Sequence, residues 1–326
     1  MTVVQRVAAA PISWGVCEVP GWGAVLPPSR VLAGMRDCGL RATELGPPGW
    51  LPTDPAALQA ALGGLRLTAG FLAIPLHHGA AAATAAAART IDTLSAAGAG
   101  HLVLAAASGE HGYDERPALD PAGWRRLVAA AAAVAIEAAA RGLRTVLHPH
   151  VGTFVEAPEE IDAFLADTAD IADTAHAVDT AGIADSAATA GTAGTAGGEL
   201  GLCLDTGHVL VGGGDPVEVA ARHHDRIHYV HLKDVDAALA GAVRGGRLSY
   251  ADAVARGMYR PLGAGDVDLG KIVTGLELGG YRGWYVLEQD TALPTADETA
   301  AQTAEYAVRA SLDHLSKIVT PSRSQR

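Results

Sequence analysis

Short apolar runs alternate eight times with longer segments that carry helical periodicity or high alanine content. The runs cover roughly residues 7–14, 41–45, 67–76, 101–107, 144–150, 201–206, 227–234 and 284–289. Continuous apolar runs of this length, closed by turn residues, are the pattern of parallel strands buried on both faces. Eight βα units predict an α/β fold, a (β/α)8 TIM barrel, as a single domain over residues 1–320. Turn chemistry marks the intervening helices: Pro27-Pro28-Ser29, Asp54-Pro55, Asp120-Pro121 and Asp215-Pro216 each precede an apolar-periodic stretch. A capping Asp or Ser with Pro in the first turn satisfies and pre-shapes a helix start.

Four segments depart from this rhythm. The alanine tracts Ala80–Ala88 and Ala129–Ala140 are flanked by larger apolar residues at helical spacing, such as Ile91 and Leu94, and read as outer helices. The stretch 168–198 is built from Ala, Thr, Gly and Asp with almost no large apolar side chain, so it is expected to be a disordered insertion. Residues 321–326 are expected to form a loose tail.

Composition narrows the function classes. A chain of 326 residues with 49% hydrophobic content can bury a large core, and a net charge of -12 disfavours nucleic acid and anionic membranes as partners. The three cysteines, Cys17, Cys38 and Cys203, show no paired spacing, and the N-terminus lacks the pattern of a signal peptide, so a cytoplasmic location is expected.

The polar residues that end the strands carry the chemistry. Val146-Leu147-His148, Leu202-Cys203-Leu204-Asp205, Ile227-His228-Tyr229-Val230-His231 and Tyr285-Val286-Leu287-Glu288 each stop at a residue able to bind a divalent metal, where barrel enzymes place their reactive groups. Asp205 opens Asp205-Thr206-Gly207-His208, in which Gly207 permits a sharp turn and His208 follows within reach; a helix cap is the competing reading of Asp205. Tyr229, His231 and Lys233 share one strand face. A carboxylate at Glu288 needs a partner to offset its desolvation, and a metal is a good one. His148 and His150 lie two apart and face the same way, one a plausible ligand and the other an acid/base or substrate contact. Glu44, after the second run, reads equally as functional or structural, and His77-His78 follow the third.

These segments resemble the sugar isomerase and epimerase superfamily with the xylose-isomerase-like barrel and, within it, the inosose (2-keto-myo-inositol) dehydratases. The resemblance rests on 148–156 (HPHVGTFVE), 201–208 (GLCLDTGH), 230–234 (VHLKD), 261–268 (PLGAGDVD) and 287–290 (LEQD), with 10–15 and 43–46 near the N-terminus. It implies one divalent cation, Mn²⁺, Co²⁺ or Mg²⁺, held by Asp205, His231 and Glu288, with His148 standing where the superfamily commonly has a glutamate. Loss of that glutamate favours proton chemistry on one face of the substrate, hence a lyase over an epimerase. The implied reaction is dehydration of a cyclic polyhydroxy ketone, with Glu288 or His150 as base, His150, His208 or Glu44 as acid, and Lys233, Trp14 and His208 contacting the ring. A small polyol or keto-sugar substrate is expected, without nucleic acid or membrane partners, and a homo-oligomer is left open. Competing readings are a metal-dependent isomerase or epimerase, an endonuclease on the same barrel, and a non-catalytic sugar-binding protein.

Overall fold

A computed structural model describes residues 2–17, 19, 21–109, 113–180 and 200–320. Nine parallel strands, β1 (Val7–Ala9), β2 (Ala42–Thr43), β3 (Arg66–Leu67), β4 (Ala69–Ile74), β5 (His101–Ala106), β6 (Arg144–Leu147), β7 (Gly201–Asp205), β8 (Ile227–Leu232) and β11 (Trp284–Leu287), form one sheet of order β3-β2-β1-β11-β8-β7-β6-β5-β4. The ends of that order, β3 and β4, are separated only by Thr68. One continuous stretch therefore pairs with β2 on one side and β5 on the other, giving the eight positions of a (β/α)8 barrel.

All eight predicted strands are present but shorter than their apolar runs. Residues 11–14 leave the first strand as a 3-10 turn beginning at Pro11, and β6 stops at Leu147, short of Pro149, which has no N–H to give a ladder. The polar residues ending each run thus stand at the barrel mouth. Inside the barrel, mostly small residues (Ala8, Ala42, Ala69, Val103, Val146, Cys203, Val286) surround Tyr229, whose hydroxyl lies 2.6 Å from Thr68 Oγ1 and fills the axis.

The helices pack outside, as the capping residues predict. Asp54, Asp120 and Asp215 each accept a backbone N–H at the starts of α2 (Pro55–Leu62), α4 (Pro121–Ala139) and α7 (Pro216–Arg222). In α1 (Pro28–Asp37) the N-cap is Pro27, which offers no side-chain bond, and Ser29 already lies in the first turn. Both alanine tracts are helical, in α3 (Ala80–Ala96) and α4, where buried Ala87, Ala131 and Ala135 pack alongside Ile91 and Leu94. At 168, where a disordered insertion is expected to start, the chain is helical. Helix α5 (Pro158–Thr180) runs through that point, with Thr168 buried and its Oγ1 bonded to Phe164 O at 2.8 Å, because alanine-rich sequence continues a helix once it is nucleated. The rest of that stretch, 181–198, and the expected tail lie outside the described residues.

After β8 and α6 (Thr206–Val211), which follows β7, one excursion matters to the mouth. β9 (Asp234–Val235) pairs antiparallel with β10 (Tyr259–Arg260), and α8 (Ala237–Arg244) and α9 (Tyr250–Ala255) lie between them. They form a separate core of Val235, Tyr250, Val254, Met258 and Tyr259. The Asp234 carboxylate accepts N–H groups from Val235, Gly263, Gly265 and Val267, which pins 261–268 against the excursion. A Cβ at Gly265 would stand 2.4 Å from Asp234 Oδ1, so only glycine fits there. Helices α10 (Leu269–Leu278) and α11 (Glu298–Val319) complete the outer ring.

Candidate metal centre and its surroundings

Four adjacent positions in the sheet, β6, β7, β8 and β11, end at His148, Asp205, His231 and Glu288. Asp205 and His231 are register partners, so their side chains leave the same face side by side. One donor atom from each of the four residues falls within 4.8 Å of the others. His148 Nε2 is 3.1 Å from His231 Nδ1 and 3.3 Å from Asp205 Oδ2; His231 Nδ1 is 3.5 Å from Asp205 Oδ2 and also contacts Glu288 Oε2. A cation about 2.1 Å from two donors at right angles separates them by about 3.0 Å, so this spacing suits one divalent ion. The donor set fits as well: Asp205 Oδ2 and Glu288 Oε2 are enclosed carboxylate oxygens that make no hydrogen bond.

Asp205 divides its two oxygens. Oδ1 caps α6, accepting from Gly207 N at 2.9 Å and His208 N at 2.8 Å, while Oδ2 faces the cluster. Gly207 serves space rather than a sharp turn, since it sits inside α6 and a Cβ there would be 2.6 Å from Lys233 Cβ. Cys203 could form a smaller group with His148 and His231, but burial pushes its thiol up to about 11, so it stays protonated.

A buried polar layer surrounds the four residues. Glu44 Oε1 lies 2.9 Å from His231 Nε2. Lys233, fully enclosed, reaches Asp290 Oδ1 at 2.9 Å, and Asp205 Oδ2 and Glu288 Oε1 at 3.3 Å each. Its ammonium donates to His208 Nε2 at 2.9 Å. Burial disfavours the Lys233 charge, yet Asp205, Asp290 and Glu288 outweigh it and raise its pKa well above the ordinary value. Burial likewise opposes the Glu288 charge, and His231 and Lys233 overcome it, bringing the carboxyl to about 2. His150 moves the other way, to about 3, through burial and then its neighbours His148 and Lys233; burial and His150 and Lys233 likewise hold His208 well below its ordinary value. The His150 and His208 rings are 3.8 Å apart at their centres.

A cavity of ≈ 190 Å³ opens over the cluster, lined by Glu44, His148, His150, Glu288 and Asp290 and walled by Trp22, Phe71 and Tyr113. Trp14, expected to hold a substrate ring, is not part of that wall. It is fully buried in the main core, its indole beside Gly34 of α1, because the chain turns away after Pro11. His77 and His78 also stay apart, edge to face with each other, with His77 edge-on to Phe154. His208 and Lys233 reach the cluster from behind the cavity. Asp290, Tyr250 and Tyr259 were not singled out from the sequence, yet Tyr250 Oη donates to Asp290 Oδ2 at 2.8 Å and meets Tyr259 Oη at 2.9 Å. The spacing of Glu288 and Asp290, two apart, was the available signal.

A parallel barrel with acids and imidazoles gathered at its C-terminal mouth defines the enzyme-like architecture, and comparison with known proteins supplies the family. Residues 32–318 match the xylose isomerase-like TIM barrel, and the chain belongs to that family. It is 33% identical to the rhizopine catabolism protein MocC of Rhizobium meliloti, over 87% of this chain and 81% of that one. It is 30% identical to inosose dehydratase of Geobacillus kaustophilus, over 92% of this chain and 93% of the relative. Among solved structures, L-ribulose 3-epimerase superposes with a TM-score of 0.63 at 18% identity, covering 98% of this chain and 95% of that one, which shows a shared fold. Among the described residues no helix is long and apolar enough to cross a membrane.

Proposed function

We propose that the chain is a divalent-metal-dependent hydro-lyase that dehydrates a cyclic polyhydroxy ketone of the inosose class. Similarity to inosose dehydratases over nearly the whole chain supports the substrate class. His148, Asp205, His231 and Glu288 would hold the cation. When bound, a divalent ion supplies Lewis-acid polarisation of a carbonyl oxygen, which acidifies the neighbouring C–H.

The state of His150 carries the lyase reading. Its Nδ1 lies 2.8 Å from Val151 O, so Nδ1–H donates and Nε2 keeps the lone pair on a side chain that lines the cavity. The other acid/base candidates are engaged: Lys233 donates to His208, and Glu44 holds His231. In this reading His150 takes the α-proton and the C–H electrons form the carbon–carbon double bond. The β C–O bond breaks, and the imidazolium returns the proton to the departing hydroxyl as water. His208 and Glu44 then act as positioning residues, and Asp290 and Tyr113 face the substrate's hydroxyls and ring.

The test is the metal-reconstituted protein with 2-keto-myo-inositol, followed by mass spectrometry and by NMR in D₂O. Loss of one water is expected. Deuterium incorporation with epimer formation and no loss of water would replace the lyase reading by an epimerase.

A further inference from the structure

The opposite end of the barrel holds a second cluster of ionisable side chains. His101 and Arg144 open β5 and β6 and are register partners, and His228 is the second residue of β8. They line a cavity of ≈ 450 Å³ at the N-terminal ends of the strands. Glycine makes the space: a Cβ at Gly201 would stand 2.4 Å from His228 Cδ2, so the imidazole lies across the start of β7 where a side chain would otherwise be.

The charges there are not balanced. Among the described residues Arg144 makes no ion pair, and Arg66, at the start of β3, has its guanidinium over the Trp284 ring at 5.5 Å rather than on an acid. The acid on the cavity wall, Asp225, is exposed and paired with His224 at 2.9 Å. Each of the His101 and His228 imidazoles is driven toward its neutral form, to about 4 in both cases, by burial first and then by Arg144. A cluster that repels its own protons within a chain of net charge -12 is electrostatically complementary to an anion.

We propose that this floor is a binding site for a compact phosphate dianion, held by Arg144, His101 and His228, with Arg66 contributing at longer range. Arg144 would supply a forked, charge-assisted contact, and His228, neutral and on the same wall, an N–H donor. The ligand is inorganic phosphate or the phosphate head of a small phosphomonoester, the chemistry that one guanidinium and two neutral imidazoles on one wall can hold. The site is independent of the reaction at the mouth.

The experiment follows the imidazole NMR signals of His101 and His228 in the full chain during titration with inorganic phosphate, against chloride at matched ionic strength. The expected result is a saturable shift of both signals and a rise of their apparent pKa with phosphate but not with chloride. Arg144→Gln should weaken binding about tenfold or more, the loss of one charge-assisted contact, while turnover at the mouth is unchanged. A hexose phosphate binding more tightly than phosphate would identify a phosphomonoester, and equal affinity the free ion. Equal, unsaturable shifts in both salts would overturn the proposal, as would unchanged phosphate affinity in the Arg144→Gln variant. Because Arg144 is exposed, that variant should fold; Arg66→Gln, also exposed, gives a second reading with a smaller loss.

Discussion

Glu44 holds His231 by its Nε2 at 2.9 Å, which fixes the ring and turns Nδ1 toward His148, Asp205 and Glu288. The glutamate comes from the turn after β2 and the histidine from β8, so two distant strands cooperate to aim one nitrogen. A carboxylate on the far nitrogen of a ligating imidazole sets its tautomer and raises its basicity.

Glu44→Gln should therefore weaken metal binding about 10- to 100-fold with little change in thermal stability, since the amide oxygen still accepts the N–H but carries no charge. Calorimetric titration with Mn²⁺ or Co²⁺ measures the first quantity and circular dichroism melting the second. Unchanged affinity would mean that Glu44 acts on the substrate instead.

Asp205→Asn separates the two tasks of one carboxylate. The amide oxygen can keep the α6 cap through Oδ1, so folding should survive, whereas the group facing the cluster loses its charge. Metal affinity should fall by about 100-fold or more, and activity with it. A fully active variant would leave Asp205 as a helix cap alone.

His150→Gln should lower kcat by about 10²- to 10⁴-fold and leave KM within a fewfold, because it removes proton transfer and little binding. His208→Gln should cost less, since His208 is reached through Lys233. The reverse order of losses would transfer the proton-moving role to His208.

His148→Glu restores the acidic residue common among superfamily epimerases. Dehydration should weaken, because ligand charge changes, and slow exchange of substrate protons with D₂O should appear without loss of water. Absence of any exchange would break the link between this position and one-faced chemistry.

Stability should decline on acidification through His101. Its folded pKa of about 4 lies below the ordinary 6.5, so the unfolded chain binds more protons between those values. The contribution is full above pH 6.5, shrinks as pH falls toward 4 and is flat below; by linkage it amounts to at most about 3 kcal/mol. Urea unfolding across that window should show a shallower pH slope in His101→Gln.

Much of this was legible because a parallel barrel writes itself as apolar runs with polar ends. Asp205, His231, Glu288 and His148 could be picked out because each interrupts such a run. Trp14 could not be placed that way, since the turn at Pro11 redirects the chain by geometry that no periodicity announces. Tyr250 and Tyr259 belong to an excursion outside the eightfold rhythm, so their contacts with Asp290 depend on tertiary packing alone. The continuation of α5 past Thr168 was hidden because composition reports what a segment can bury, whereas helix propagation depends on what precedes it.

Tyr229, wedged across the axis with its hydroxyl on Thr68, fills the barrel between its floor and the cluster, and among the described residues the cavity at the mouth opens onto the cluster. On the proposed function, cation and substrate would share that passage, the ion entering first and the ring following over it. Occupancy by substrate should consequently slow the stripping of metal by a chelator, and saturating ketone added before the ion should delay activation.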